Sequence, residues 1–389
     1  MKERNYTVDL WRFIFTIVLS FGHFNEFGCK MGLRMDAESF IFKGDHQLAF
    51  FLLLSGYFMM AAFQSKKNRL GGAPMSAGRE AWGYFGKRYL ALAPVLFIGA
   101  LMDFIIQNIQ NKTPVKELFY LFIGSLQYFL GIDQTYYVAG GSRINQAIEA
   151  GTYSVVWNGP LWYLSAMIIA GLILYYILCK SEGFFTAVFA PIAFIGIYFT
   201  NQVYVTNNPP APGFPVAQFT KGGVGWLGLP NGILRCIGGM CIGALMWYAV
   251  NYFKKKGFTV KGKAALTVVN ILMTIFILYI VWFSTPLNDF QEALVIVFFL
   301  LIILTCEDGF SRLLNRRCFN FLGKLALYFY VCHEPVVNVI IKAFPTMAYL
   351  PLAGVFVVIT FIGALILYFI DTKVIEAILR KPIKNYIAK

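Results

Sequence analysis

Long apolar runs, separated by short polar segments, repeat along the whole 389-residue chain. Ten of them fall at roughly 10–25, 47–63, 89–107, 160–178, 184–200, 227–250, 264–283, 291–306, 325–341 and 349–370. A continuous run of about 20 apolar residues crosses a bilayer as one helix. None of these runs alternates with the period of two that a membrane barrel requires. The pattern predicts an all-α integral membrane protein of about ten transmembrane helices, organised as a single domain over residues 1–389. The first run lacks a small-residue cleavage site, so it is expected to stay as a helix and not to be removed as a signal peptide.

The basic residues orient this layout. With the N-terminus inside, the inner segments hold Lys2, Arg4, the stretch Lys66 to Arg88, Lys180, Lys254 to Lys263, Arg312 to Lys324 and the tail from Lys373, together 23 of the 33 Lys and Arg residues. The outer segments hold seven: Lys30, Arg34, Lys43, Lys112, Lys116, Arg143 and Lys221. An excess of this kind on one side marks the cytoplasmic face, which puts both termini there. Residues 117–131 (ELFYLFIGSLQYFLG) are apolar, yet counting them as a span would invert every later loop. They are expected to form a re-entrant or interfacial helix on the outer side. The outer loop 201–225, with its NNPPAPGFP run, is expected to lack regular structure.

Composition agrees with the pattern. Hydrophobic residues make up 58% of the chain and charged ones only 13%, whereas a soluble domain carries about a quarter charged. The net charge of +14 would suggest nucleic acid in a soluble protein. Here the basic residues lie in the cytoplasmic segments beside anionic lipid, so membrane lipid is the expected partner and nucleic acid is not. The seven cysteines form no CxxC pair and no Cys/His cluster, which argues against a disulfide framework and against a metal. A nucleotide-hydrolysing or Rossmann reading has no P-loop or GxGxxG to rest on.

An ionisable side chain within a span costs several kcal/mol unless it is paired or hydrated, so each is a functional candidate. These are Asp9, Arg12, His23, Asp103, Arg235, His333, Glu334 and Lys342. Asp103 and Lys342 lie near span ends and Arg235 near the outer surface, where reaching the interface is the expected explanation. Arg12 and His23 are eleven residues apart, three turns plus about 20°, so they project from one face about 16 Å apart. Asp9 stands one turn before Arg12 and Glu26 one turn after His23. The face reads Asp–Arg, then His–Glu, and a carboxylate beside a histidine raises its basicity as a general base requires. The competing reading, interface anchors plus a helix cap, stays open. Pro335 follows His333 and Glu334 and is expected to kink its helix, opening a hydrated cavity. A histidine bonded structurally to a neighbouring helix is the alternative there.

Four segments in order, Arg4 through VDLWRF to His23, FFLLLSGYFM (50–59), the basic loop ending KRYLALAP (87–94), and WNGPLWYLSA (157–166) with ALYFYVCHEPV (326–336), resemble the membrane-bound acyltransferase-3 family of multi-span bacterial enzymes. The resemblance implies transfer of an acyl group, usually acetyl, from cytosolic acyl-CoA (acetyl-CoA) to a hydroxyl of a cell-surface or lipid-linked glycan, in a multi-pass protein of the bacterial plasma membrane. It implies that His23 acts on the acceptor hydroxyl or the acyl group, with Arg12, Asp9 and Glu26 beside it. Arg12 sits near the donor, whose phosphates Lys87 and Arg88 hold. The FFLLLSGYFM turn with Ser55, and Trp162, Tyr163, Ser165, Tyr328, His333 and Glu334, shape the substrate cavity. The chain departs from the family pattern at Ala91, where a second Arg often stands, at Met167, where an acid is common, and at Ala49, with Asp45 and His46 just upstream. An oligomer is compatible with the sequence. The competing classes are a transporter or flippase using Arg12, His23 and His333 as a proton relay, and a non-catalytic subunit of a glycan-assembly complex.

Overall fold

The computed structural model describes residues 4–30, 48–71, 73, 75–124, 126–130, 158–207, 231–283 and 289–383. Among them there are helices and turns and no strand. The helices are α1 (Tyr6–Lys30), α2 (Leu48–Arg69), α3 (Ala77–Gln110), α4 (Val115–Gly124), α5 (Leu126–Phe129), α6 (Trp162–Lys180), α7 (Ala190–Asn207), α8 (Asn231–Lys256), α9 (Val260–Phe283), α10 (Asp289–Thr305), α11 (Gly309–Leu314), α12 (Phe319–Ala343) and α13 (Tyr349–Phe369). A 3₁₀ turn, Gly159–Leu161, leads into α6, and a π-helical segment, Ile370–Arg380, continues α13. In an apolar medium a helix satisfies all its own backbone groups, which is why the apolar runs take this form.

Among the described residues, seven helices are long and apolar enough to cross a membrane, in the stretches Leu48–Arg69, Ala77–Gln110, Gly159–Lys180, Gly232–Lys256, Val260–Phe283, Phe319–Ala343 and Tyr349–Ile383. Glu182–Tyr198 and Phe290–Thr305 are apolar but shorter. Helix α1, with Asp9, Arg12 and Glu26 along its length, is not among the seven. The described residues of segment 117–131 lie in and just after α4 and α5, of 10 and 4 residues, each too short to cross a bilayer. Two expectations need correction. The FFLLLSGYFM segment is not a turn but uninterrupted helix within α2. Helix α7 runs to Asn207, into the stretch expected to be irregular. No breaker precedes Pro209, and a helix commonly ends just before an X-Pro pair.

The chain divides into two compact units. The first comprises Met1–Gly22, Ile41–Gly86 and Met167–Lys324. Its core joins Trp11 and Phe15 of α1 to Phe50 of α2, Val250 of α8 and Phe299 of α10. Phe15 stacks on Phe50 at 4.4 Å, and Trp11 meets Phe299 edge-on at 4.9 Å. Helices α2 and α8 lie backbone to backbone. A Cβ added to Gly56 would sit 2.0 Å from the Met240 carbonyl oxygen, and one added to Gly243 would sit 2.0 Å from the Leu53 carbonyl oxygen. Gly239 packs on Leu52 in the same seam, so a GxxxG pair, Gly239 and Gly243, forms the α8 side. Lipid tails remove the hydrophobic drive between spans, and close backbone approach at small residues takes its place.

The second unit comprises His23–Phe40, Lys87–Ala166 and Leu325–Lys389. Phe24 of α1 stacks on Phe356 of α13 at 4.8 Å, and the Tyr349 hydroxyl donates to Asn25 Oδ1 at 2.9 Å. On the other side Leu121 of α4 and Phe129 of α5 pack on Ala100 and Phe104 of α3.

Candidate functional site

Within the second unit, α1 and α12 bring two of the singled-out residues together. His23 Nδ1 lies 2.8 Å from His333 Nε2, and the rings stack with centroids 5.0 Å apart. His333 is fully buried, and its Nδ1 is hydrogen-bonded to the Tyr330 carbonyl one turn earlier. A carbonyl only accepts, so His333 carries its proton on Nδ1 and offers Nε2 as an acceptor. His23 must then donate from its own Nδ1, which leaves Nε2 as the basic nitrogen of His23. Tyr330 lies 4.9 Å from the His333 ring and 5.1 Å from that of Tyr163, centroid to centroid. Trp162, Tyr163, Ser165 and Glu334 are all buried in this unit. The Ser165 hydroxyl has no hydrogen-bond partner among the described residues.

Helix α12 runs unbroken through Pro335. A proline has no N–H, so the carbonyl four residues back, that of Val331, loses its helical donor. The Asn158 side-chain amide supplies one at 2.8 Å. Asn158 stands at φ 53°, ψ 62°, before the Gly159–Leu161 turn, a left-handed conformation that Asn tolerates better than most residues. Its backbone N–H donates to Asp103 Oδ2 at 2.7 Å, and Asp103 also accepts from Gln107 at 2.7 Å and Asn338 at 2.9 Å. The Tyr330 hydroxyl donates to the Pro160 carbonyl at 2.5 Å. Asp103 thus departs from its expected place. It does not reach towards an interface but is 0% exposed, at the centre of three amide donors. Lys342 is exposed and donates to Gln110 at 2.7 Å.

Tyr328 lies five residues before His333, about 140° around the helix, and so points elsewhere. Its hydroxyl donates to Asp371 Oδ2 at 2.7 Å. Asp371 also receives both terminal nitrogens of Arg380, at 2.8 and 2.9 Å. Arg380 in turn donates to the carbonyls of Leu90 (3.2 Å) and Ala91 (2.8 Å) in the KRYLALAP stretch of α3. In that stretch Lys87 is exposed and Arg88 half-buried.

In the first unit, the expected Asp9–Arg12 pairing is secondary. Arg4 takes Asp9 with two bonds, Nε at 2.7 Å and Nη2 at 3.2 Å, while Arg12 Nη1 lies at 3.8 Å. Arg4 lies just before α1 and brings its planar fork onto the carboxylate with two bonds, the stronger form of Arg–carboxylate pairing. A Cβ on Gly323 of α12 would sit 2.5 Å from the Asp9 Cβ, so this glycine is where Asp9 packs. The Ser55 hydroxyl donates to the Met167 sulfur at 2.9 Å. Arg12, His23 and Glu26 share the unbroken helix α1, with Glu26 half-buried one turn beyond His23. Asp45 and His46 lie outside the described residues.

Sequence reasoning singled out both histidines but not their contact. It missed Asn158 and Arg380 altogether. A signal for both was present, since Pro335 and Pro94 each orphan a carbonyl inside an apolar helix and so require a donor from elsewhere.

Among the described residues no group of three or more His, Cys, Asp or Glu side chains is placed to hold a metal ion. No curated protein and no solved structure gives a significant match to the chain. Residues 5–369, nearly the whole chain, match the acyltransferase domain of the acyltransferase-3 family, and the chain belongs to that family.

Proposed function

We propose that the chain is a membrane O-acyltransferase, an O-acetyltransferase in its simplest form. It moves an acyl group from cytosolic acyl-CoA to a hydroxyl of a cell-surface or lipid-linked glycan. Membership of the acyltransferase-3 family and the set of apolar helices support acyl transfer by a multi-pass membrane protein. The observation that carries the reading to particular residues is the hydrogen bond between His23 and His333.

In this reading His23 Nε2 takes the proton of the acceptor hydroxyl as its oxygen attacks the thioester carbonyl carbon. The carbon–sulfur bond breaks, and the CoA thiolate leaves and is protonated. His333 accepts the His23 Nδ1–H throughout, holding the tautomer and strengthening its bond as His23 becomes an imidazolium. It takes the place a carboxylate has in a serine–histidine–aspartate triad. Arg12, with Asp9, serves the donor side, and the exposed Lys87 and half-buried Arg88 suit CoA phosphates. Glu26, Trp162, Tyr163, Ser165 and Glu334 belong to the walls. Tyr328, bound to Asp371, is better suited to supporting the site than to touching substrate. Ten spans in a bacterial plasma membrane, both termini in the cytoplasm and α4–α5 at the outer interface complete the proposal.

Vesicles holding the purified protein and labelled acetyl-CoA provide the test. The wild type labels a glycan acceptor, and His23→Ala loses about a hundredfold or more of the rate. Undiminished transfer by a well-folded His23→Ala protein would remove His23 from the mechanism. Ping-pong kinetics would replace direct attack with an acyl-histidine intermediate. Movement of acceptor without any acyl-CoA-dependent product would identify a transporter instead.

A further inference from the structure

We infer that Asp103 and Asn158 are positioning residues for the histidine pair, an inference that rests on the acyl-transfer reading for its kinetic consequence alone. The segment Tyr330–His333 is held at its first two residues by one short turn. The Asn158 amide holds the Val331 carbonyl, and the Pro160 carbonyl holds the Tyr330 hydroxyl. The same segment sets the ring of His333, because the Tyr330 carbonyl is the acceptor for its Nδ1. Asp103 holds the turn in place from α3 by the Asn158 backbone N–H, and it grips α12 through Asn338, one turn beyond Pro335.

The residue types are specific. All three partners of Asp103 are amide donors, so an ionised carboxylate accepts from each as they stand, whereas an apolar side chain there would leave all three without that acceptor. Asn158 combines a left-handed backbone with a side-chain donor, which glycine cannot supply. Gly99 completes the packing, since a Cβ there would lie 2.4 Å from Val331 Cγ1 and 3.2 Å from Asn158 Nδ2. A buried polar chain of this kind fixes one geometry, and a catalytic group displaced by about 1 Å loses up to about a hundredfold in rate.

The test uses a suppressor. Asn158→Gly keeps the backbone conformation and deletes the amide. Pro335→Ala gives the Val331 carbonyl back its own helical N–H, so the double variant no longer needs Asn158. Asn158→Gly is expected to lower kcat about tenfold or more while leaving KM for acetyl-CoA near wild type. Pro335→Ala alone stays near wild type, because a carbonyl can accept two donors, and the double variant recovers most of the loss. Asp103→Ala, which removes the acceptor of the Asn158 N–H, lowers kcat in the same way. With three histidines in the chain, nitrogen-15 NMR reads the ring tautomers directly. The Nδ1–H form of His333 is present in the wild type, lost in Asn158→Gly and regained in the double variant. An unchanged histidine spectrum in folded Asn158→Gly, or a loss that Pro335→Ala does not recover, overturns the inference. If the wild type transfers no acyl group, the functional reading falls, and the histidine spectra still decide the positioning role.

Discussion

Arg380 donates from Nε to the carbonyl of Leu90, the main-chain oxygen that Pro94, four residues on, leaves without a helical donor. Its two terminal nitrogens fork onto Asp371, which is 3% exposed. One guanidinium therefore satisfies a buried carboxylate and two carbonyls of α3. Arg380→Ala leaves the Leu90 carbonyl without a donor and Asp371 with Tyr328 alone, and breaking a buried pair costs about 3–5 kcal/mol. The expected outcome is a large fall in melting temperature in detergent. Arg380→Lys recovers only part of it, since an ammonium lacks the planar fork.

In the proposed mechanism His333 acts through His23, so its removal should be the milder lesion. His333→Ala is expected to lower transfer roughly ten- to a hundredfold, the range seen when a supporting partner of a functional histidine is lost. The double variant should be no slower than His23→Ala alone, because residues that act as one unit do not add. Single-turnover rates with labelled acetyl-CoA measure both.

The seam between α2 and α8 tolerates no side chain. Gly56→Ala and Gly243→Ala each place a Cβ against backbone, which cannot move aside as a side-chain tip can. Each should destabilise by about 1–3 kcal/mol. Gly83 on α3 has nothing within 4 Å of an added Cβ, and there the same substitution should stabilise by about 0.5–1 kcal/mol through helix propensity. Thermal melts of the three variants make the comparison.

Between α10 and α11, a hydrogen bond from Lys263 holds the Glu307 carboxyl below its ordinary value of 4.5, helped by the charges of Lys263, Arg312 and Lys254 against a smaller opposing effect of burial. A carboxyl lowered on folding contributes stability that is fully present above the unfolded value and is lost as pH falls through the folded one. Wild type should therefore exceed Glu307→Gln in melting temperature at neutral pH, with the gap closing below about pH 4. The gap is small, because both side chains are only partly buried and water screens the pair. Melts of both proteins across pH 3–7 give the reading.

The helices were legible because each apolar run is local, and local patterns set where a chain in lipid coils. The tertiary contacts were not, for a reason visible at Asp103. Its position near the end of a run suggested an interface anchor, while two of its partners, Asn158 and Asn338, lie 55 and 235 residues away. At Asp9 the expected i,i+3 neighbour Arg12 is in ion-pair range, at 3.8 Å, and Arg4, which no periodicity singles out, binds more closely, at 2.7 Å. The glycine seam was written in the chain as GMCIG, a spacing that has meaning only once a second helix is known to face it.

His23 and His333 are 310 residues apart in the chain, which makes their meeting one of the last events in building the protein. A chain released or stalled before α12 carries His23 without the partner that sets its tautomer. In the proposed mechanism full activity is then a property of the finished molecule, and a chain without α12 lacks the group that holds His23 in one tautomer. On the same reading, a lesion near His333 in α12 is also a lesion of the first helix.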